Sequence, residues 1–233
     1  MEKMINKDMR IGEIATIFPG ATNIFMDYEI DFCCGGDRPL SAAIEEKNVN
    51  EKELLDRLNS EYEKMKDDIE SSDNFKEKTM TEQIDYVVNK HHTFMKEEMP
   101  VTQELLSKIL KVHYASHGSE LSKLHKLFNS LKAEIEEHLI KEEELLFPMI
   151  KEYEKNPTEE NRKKALKVLE ETESEHEAAG DILKEMRKIT NGFKTPEDGC
   201  NTYRITFEKI EAIEKDLFEH IHLENNILFE RLK

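Results

Sequence analysis

Apolar residues along this chain recur at alternating steps of three and four rather than two, a spacing that predicts helices almost throughout. Near the start the stretches IGEIATIFPG, ATNIFMDYEI, PLSAAIEE and NEKELLDRLNSEYEKM each carry it, and Asn50 with Glu53 resembles a capping box opening the last. The polar run KDDIESSDNFKEK then breaks the pattern. Beyond it come four long amphipathic stretches, about 81–116 with an interruption expected at Pro100, then 118–154, 158–190 and 196–232. Short connections between such helices imply antiparallel neighbours. The expected architecture is therefore all-α: a small helical domain over residues 1–66, a linker over 67–79, and an up-down four-helix bundle over 80–233.

Counting the core stripe of the second long stretch gives Leu121, Leu124, Phe128, Leu131, Ile135, His138, Glu142, Leu145 and Met149. The same count in the fourth gives Tyr203, Thr206, Ile210, Ile213, Leu217, His220, Glu224 and Ile227. A His and a Glu four apart thus fall inside the seam twice. The surrounding text repeats as well, EHLIKEEELLFP matching EHIHLENNILFE with Leu-Phe at the same offset after each Glu. Residues four apart differ by only about 40° around a helix axis, so each pair presents both groups to one side. In the third stretch His176 lies one heptad from Leu169 and one from Leu183; in the first, His92, Met99, Leu106 and His113 are spaced by sevens.

A single seam histidine such as His176 or His113 is most often a hydrogen-bonded core residue. A seam glutamate is harder to explain, because an ionised carboxylate without a partner costs several kcal/mol to bury. Five histidines and two glutamates on four seams therefore point to a metal centre in the bundle core. Imidazole and carboxylate without thiolate suit iron, manganese, zinc or copper rather than calcium or magnesium, and seven ligands exceed one tetrahedral zinc site. With both carboxylates bridging, they would serve two ions. The Glu-x-x-His order of ferritin-like bundles is absent from these pairs. Of the remaining histidines, His222 is expected in solvent and His117 at the surface or behind the ligands. His91 competes with its neighbour His92, which the heptad count favours.

Charge narrows the partners. With 51 acidic and 34 basic side chains the formal net charge is −17, which repels nucleic acid and anionic membranes. No apolar run reaches the roughly 20 residues that span a bilayer, and MEKMINKDMR lacks the apolar core of a signal peptide, so a cytoplasmic location is expected. An acidic surface permits a homodimer without requiring one. The three cysteines, two of them adjacent, do not form a disulfide framework. Cys33 and Cys34 precede Gly35 and Gly36 in DFCCGG, just ahead of a helix; either they carry redox or transient metal chemistry, or they are small residues packed in a tight turn. Cys200, alone in EDGCNTYR, is expected only to pack.

Over essentially its whole length the sequence resembles the repair-of-iron-centres family, the di-iron proteins of iron–sulfur cluster repair. The resemblance rests on DFCCGG, NKHHTFMKEEMP, KVH at His113, HLIKEEELLFP, ESEHEAAG and HIHLENNILF, in that order. It implies a hemerythrin-like bundle whose ligands are His92, His113, His138, Glu142, His176, His220 and Glu224, holding two non-haem iron ions with an oxo or hydroxo bridge. It also implies repair of iron–sulfur proteins damaged by nitric oxide or oxidants, through iron donation assisted by Cys33 and Cys34, with nitric oxide reduction as a related activity. Delivery of iron is not catalysis, so the resemblance leaves open whether the protein is an enzyme. Competing readings are a hemerythrin-like binder or sensor of oxygen or nitric oxide, and a helical interaction protein with incidental histidines. A pure carrier has no evident need for the thiol-bearing domain.

Overall fold

The structure is a computed structural model that describes residues 5–71 and 75–233. Its described elements are helical, apart from an isolated bridge between Arg10 and Pro39. The chain divides into two compact units, residues 1–83 together with 218–233, and residues 84–217.

The first unit opens with α1 (Ile11–Ile17), α2 (Ala21–Asp27), α3 (Leu40–Lys47) and α4 (Glu51–Ser71). Three of these helices are too short to be stable alone, so their buried residues hold them: Ile11 and Ile14 in α1, Ile24 and Phe25 in α2, and Leu40 in α3. The Asn50 side chain accepts from the Glu53 amide at 3.2 Å, the N-cap read from the sequence. Asn48, at φ 51°, ends α3 in the left-handed conformation that asparagine tolerates. α4 runs through to Ser71, well into the stretch expected as a linker, whose residues 72–74 lie outside the described residues. Residues 218–233 contribute Phe218, whose ring meets Phe32 edge-on at 6.2 Å, and a turn over Glu224–Leu228 that packs on α1.

The second unit is built from α6 (Thr93–Val112), α7 (Tyr114–Lys141), α8 (Phe147–Lys155), α9 (Glu159–Ile189) and the part of α10 (Asn201–Leu223) that precedes residue 218; α5 (Met80–Val87) leads into it. α6 packs on α7, and α7 and α8 pack on α9. The interruption expected at Pro100 does not occur, since α6 continues through it. An interior proline costs about 3 kcal/mol. Burial of Met95, Met99, Leu106 and Ile109 along the same helix contributes about 1.5–3 kcal/mol each and outweighs it.

Among the described residues the helices carry instead three π-helical turns, Val88–His92, Glu142–Leu146 and Glu224–Leu228. Each adds a residue to one turn and shifts the register of everything after it. The shift is visible after Glu142. The expected seam positions Leu145 and Met149 are displaced by one, so that Leu145 is 43% exposed while Leu146 and Ile150 are fully buried. The first long stretch ends instead at His113, the single residue between α6 and α7.

Candidate metal centre

All three π turns end or begin on a metal-capable side chain: His92 closes the first, Glu142 opens the second and Glu224 opens the third. A π turn widens the helix and rotates the side chains at its edge, which is why such turns concentrate at functional sites.

In the second unit Glu142 is fully buried, and three imidazoles face it. His92 Nε2 is 3.3 Å and His138 Nε2 3.4 Å from Glu142 Oε2, and His176 Nε2 is 3.9 Å from Oε1. The Nε2 atoms of His138 and His176 stand 3.1 Å apart. Two nitrogens bound to one ion at about 2.1 Å and at roughly right angles are separated by about 3 Å, so this spacing fits a shared cation.

The outer nitrogens are held by carboxylates. His92 Nδ1 meets Glu143 Oε1 at 2.7 Å, and Lys96 holds Glu143 at 2.7 and 3.0 Å. His138 Nδ1 meets Glu175 Oε2 at 2.9 Å, and Lys141 pairs with Glu175 from the other side. The His138 contact draws the Glu175 carboxyl down to about 2 against the upward push of burial, with Lys141 adding to the effect. Burial likewise raises Glu143, but Lys96 and His92 outweigh it and leave that carboxyl below its ordinary value. An ionised carboxylate on Nδ1 fixes the proton there and turns the Nε2 lone pair toward Glu142. A face lined by Nε2 lone pairs and a buried carboxylate is a cation-binding face.

In the first unit His220 and Glu224, one turn apart at the end of α10, are both fully buried, with His220 Nε2 3.2 Å from Glu224 Oε1. His222, expected in solvent, is 2% exposed. Phe32 packs against its ring at 6.0 Å, and burial lowers its pKa to about 4. Helical period alone put it outward; the N-terminal segment covers that side.

The same unit holds the paired cysteines. Asp31 Oδ1 accepts from the amides of Cys33, Cys34 and Gly35 at 3.2, 3.0 and 3.0 Å and lies 3.4 Å from Cys33 Sγ. Cys33 is buried, Cys34 half-buried, and their sulfurs are 3.8 Å apart. The hydrogen bond with Cys34, burial and the Asp31 charge all raise the Cys33 thiol well above its ordinary value. Asn226, in the third π turn, donates Nδ2 to the carbonyls of Cys33 and Phe32 at 2.9 and 3.3 Å. Its side-chain oxygen fills space beside Gly12 and Gly36, where a Cβ would come within 2.5 and 2.4 Å of it.

His113 is not brought to His92, with which the sequence grouped it. The 20 residues of α6 separate it from His92 by about 30 Å, at 1.5 Å per residue. The heptad count placed both on one stripe but at opposite ends of it. His113 Nε2 contacts Cys200 Sγ at 3.3 Å, beside His117, which pairs with Asp198 at 2.7 Å. Cys200 is exposed rather than packed, and the His113 contact lowers its thiol to about 7. His91 is as buried as His92 but turns to Asp216 at 3.0 Å. Glu143, Glu175, Asn226 and the π turns were missed from the sequence; the repeated Glu-Glu of KEEELLFP was the one available trace of Glu143.

Helices bearing buried histidines whose outer nitrogens are tied to carboxylates, facing a buried glutamate, define a cation-binding helical protein. Two family models match this chain: a hemerythrin HHE cation binding domain over residues 83–232, and ScdA_N, a domain of unknown function (DUF542), over residues 7–62. Among curated relatives, the iron-sulfur cluster repair protein ScdA of Staphylococcus epidermidis is 31% identical, covering 98% of this chain and all of the relative. The iron-sulfur cluster repair protein YtfE of Pectobacterium atrosepticum is 34% identical over 98% of both chains. A probable iron-sulfur cluster repair protein of Haemophilus influenzae is 34% identical over 96% of both. The chain belongs to this family of iron-sulfur cluster repair proteins with a hemerythrin-like domain.

Proposed function

We propose that the protein repairs iron–sulfur clusters damaged by nitric oxide or oxidants, and that it does so from a two-iron centre held by His92, His138, Glu142, His176, His220 and Glu224. The observation that carries the reading is the set of three Nε2 atoms around buried Glu142, with two of the three imidazoles backed by carboxylates. The repeated His-x-x-x-Glu pairs, both buried and both at the edge of a π turn, support bridging roles for Glu142 and Glu224. The single hemerythrin domain over residues 83–232 contains all six residues, and supports one centre rather than two.

Iron bound there would supply one-electron chemistry and a cation that can be donated. The chain does the rest. Glu143 and Glu175, fixed by Lys96 and Lys141, keep His92 and His138 in one tautomer, and full burial keeps bulk water from the carboxylates of Glu142 and Glu224. The recipients would be damaged iron–sulfur proteins, with nitric oxide or oxygen as small ligands of the centre, and Cys33 and Cys34 would assist transfer. No described helix is long and apolar enough to cross a membrane, and the three free cysteines suit a reducing cytoplasm.

Metal analysis of protein purified without added metal tests the centre, alongside Glu142→Ala and Glu224→Ala. About two irons per chain are expected, falling below one in either variant, and the loaded protein should restore activity to a nitric-oxide-damaged iron–sulfur enzyme. Wild-type protein that is folded and free of metal would overturn the proposal.

A further inference from the structure

The turn at Asp31–Cys33–Cys34 takes no part in the histidine and glutamate set, yet its donors converge. Asp31, Cys33 and Cys34 each offer one ligand atom, and the three atoms lie within 4.8 Å of one another. The sulfurs are 3.8 Å apart. Two sulfurs bound at about 2.3 Å to one tetrahedral ion stand about 3.8 Å apart, so the thiols already have the spacing of two ligands on a shared cation. A carboxylate beside them adds a third donor and a negative charge.

The turn is also built to stay in place. Asp31 Oδ1 gathers three successive amides, and the Gly12 amide donates to the Gly36 carbonyl at 2.8 Å. Asn226 pins the Cys33 and Phe32 carbonyls from the π turn that begins at Glu224, in a slot that only glycine at positions 12 and 36 leaves open. Arg38, whose guanidinium lies along Gly35, is already ion-paired with Glu46 at 2.7 Å. Cys33 is buried and Cys34 half-buried, which leaves one side for a cation to arrive and depart. A site closed on all sides would store metal; one with an accessible thiol can pass it on.

We propose that Asp31, Cys33 and Cys34 form a second, labile site for a thiophilic divalent cation of the first transition series, separate from the histidine and glutamate centre. Binding displaces both thiol protons to water and leaves the ion held by two thiolates and a carboxylate. The identity of the cargo as ferrous iron in transit rests on the repair reading above; the existence of the site does not.

Cobalt(II) is the probe, because thiolate ligation produces a near-ultraviolet sulfur-to-cobalt charge-transfer band that imidazole and carboxylate do not. The full chain carrying Cys200→Ser, which removes the third thiol, is titrated anaerobically under reducing conditions. One equivalent per chain should develop the band. Cys33→Ser with Cys34→Ser should abolish it, and Asp31→Asn, which keeps the acceptor oxygen but loses the charge, should weaken cobalt binding about tenfold or more with unchanged circular dichroism. Glu142→Ala with Glu224→Ala should lose its iron and keep the band, which separates this proposal from the reading of the main centre. Absence of the band in the Cys200→Ser protein, its persistence without Cys33 and Cys34, or its loss in the glutamate variant would each overturn the proposal. Should the double serine variant fail to fold, the Asp31→Asn titration decides, and unchanged affinity there overturns it.

Discussion

The side chains that tune the candidate centre act one atom behind it. Glu175 holds His138 by Nδ1 and is itself drawn down to about 2, so it stays ionised through the neutral range. Glu175→Gln keeps the size but removes the charge, and metal affinity should fall about 10- to 100-fold with little change in helicity. Competition with a chromophoric chelator measures this directly. At the far end of α6, the His113 contact lowers the Cys200 thiol from 9.0 to about 7, while Cys200 itself is exposed. The thiolate, which reacts, predominates above the folded value. Alkylation of Cys200 by iodoacetamide should therefore reach half its plateau rate near pH 7, and His113→Ala should move that midpoint back toward 9. His113 was legible as a metal-capable residue, but its partner was not, because Cys200 is 87 positions away.

Helical elements were readable wherever burial follows a constant period. The seams through Leu121 to Glu142 and Tyr203 to Glu224 are buried as counted. Beyond Glu142 the count is off by one residue, first at Leu145, because the π turn inserts a step that no propensity announces. Such a turn replaces good hydrogen bonds with poorer ones, and only the contacts it creates can favour it. Pro100 misled in the opposite direction, since its local penalty is real but smaller than the burial around it. Because Pro100 is exposed within α6, Pro100→Ala should raise the unfolding free energy by about 1–3 kcal/mol without disturbing metal binding. Denaturant titration of the metal-free protein measures the gain, and a loss of stability would show that the ring itself is needed.

At the scale of the whole molecule, residues 218–233 join residues 1–83 in one compact unit. Phe218 meets Phe32, Asn226 pins the cysteine turn, and Arg231 Nη1 donates to the Lys78 carbonyl at 2.7 Å. A fragment of residues 1–83 is therefore expected to lose cooperative unfolding by circular dichroism, although its length alone would permit a small domain. Cooperative unfolding of the fragment at the same midpoint as the intact chain would contradict this. The amino-acid sequence by itself determined the all-helical class, the acidic surface and the two His-x-x-x-Glu pairs, because these depend on residue type and on spacings within a single helix. Tertiary structure alone decided that His113 pairs with Cys200 and that His222 is covered. It also decided that Glu143 and Glu175 hold the imidazoles and that Asn226 belongs to the turn of Cys33. Each of those facts joins side chains from separate elements, brought together by packing that no local pattern records.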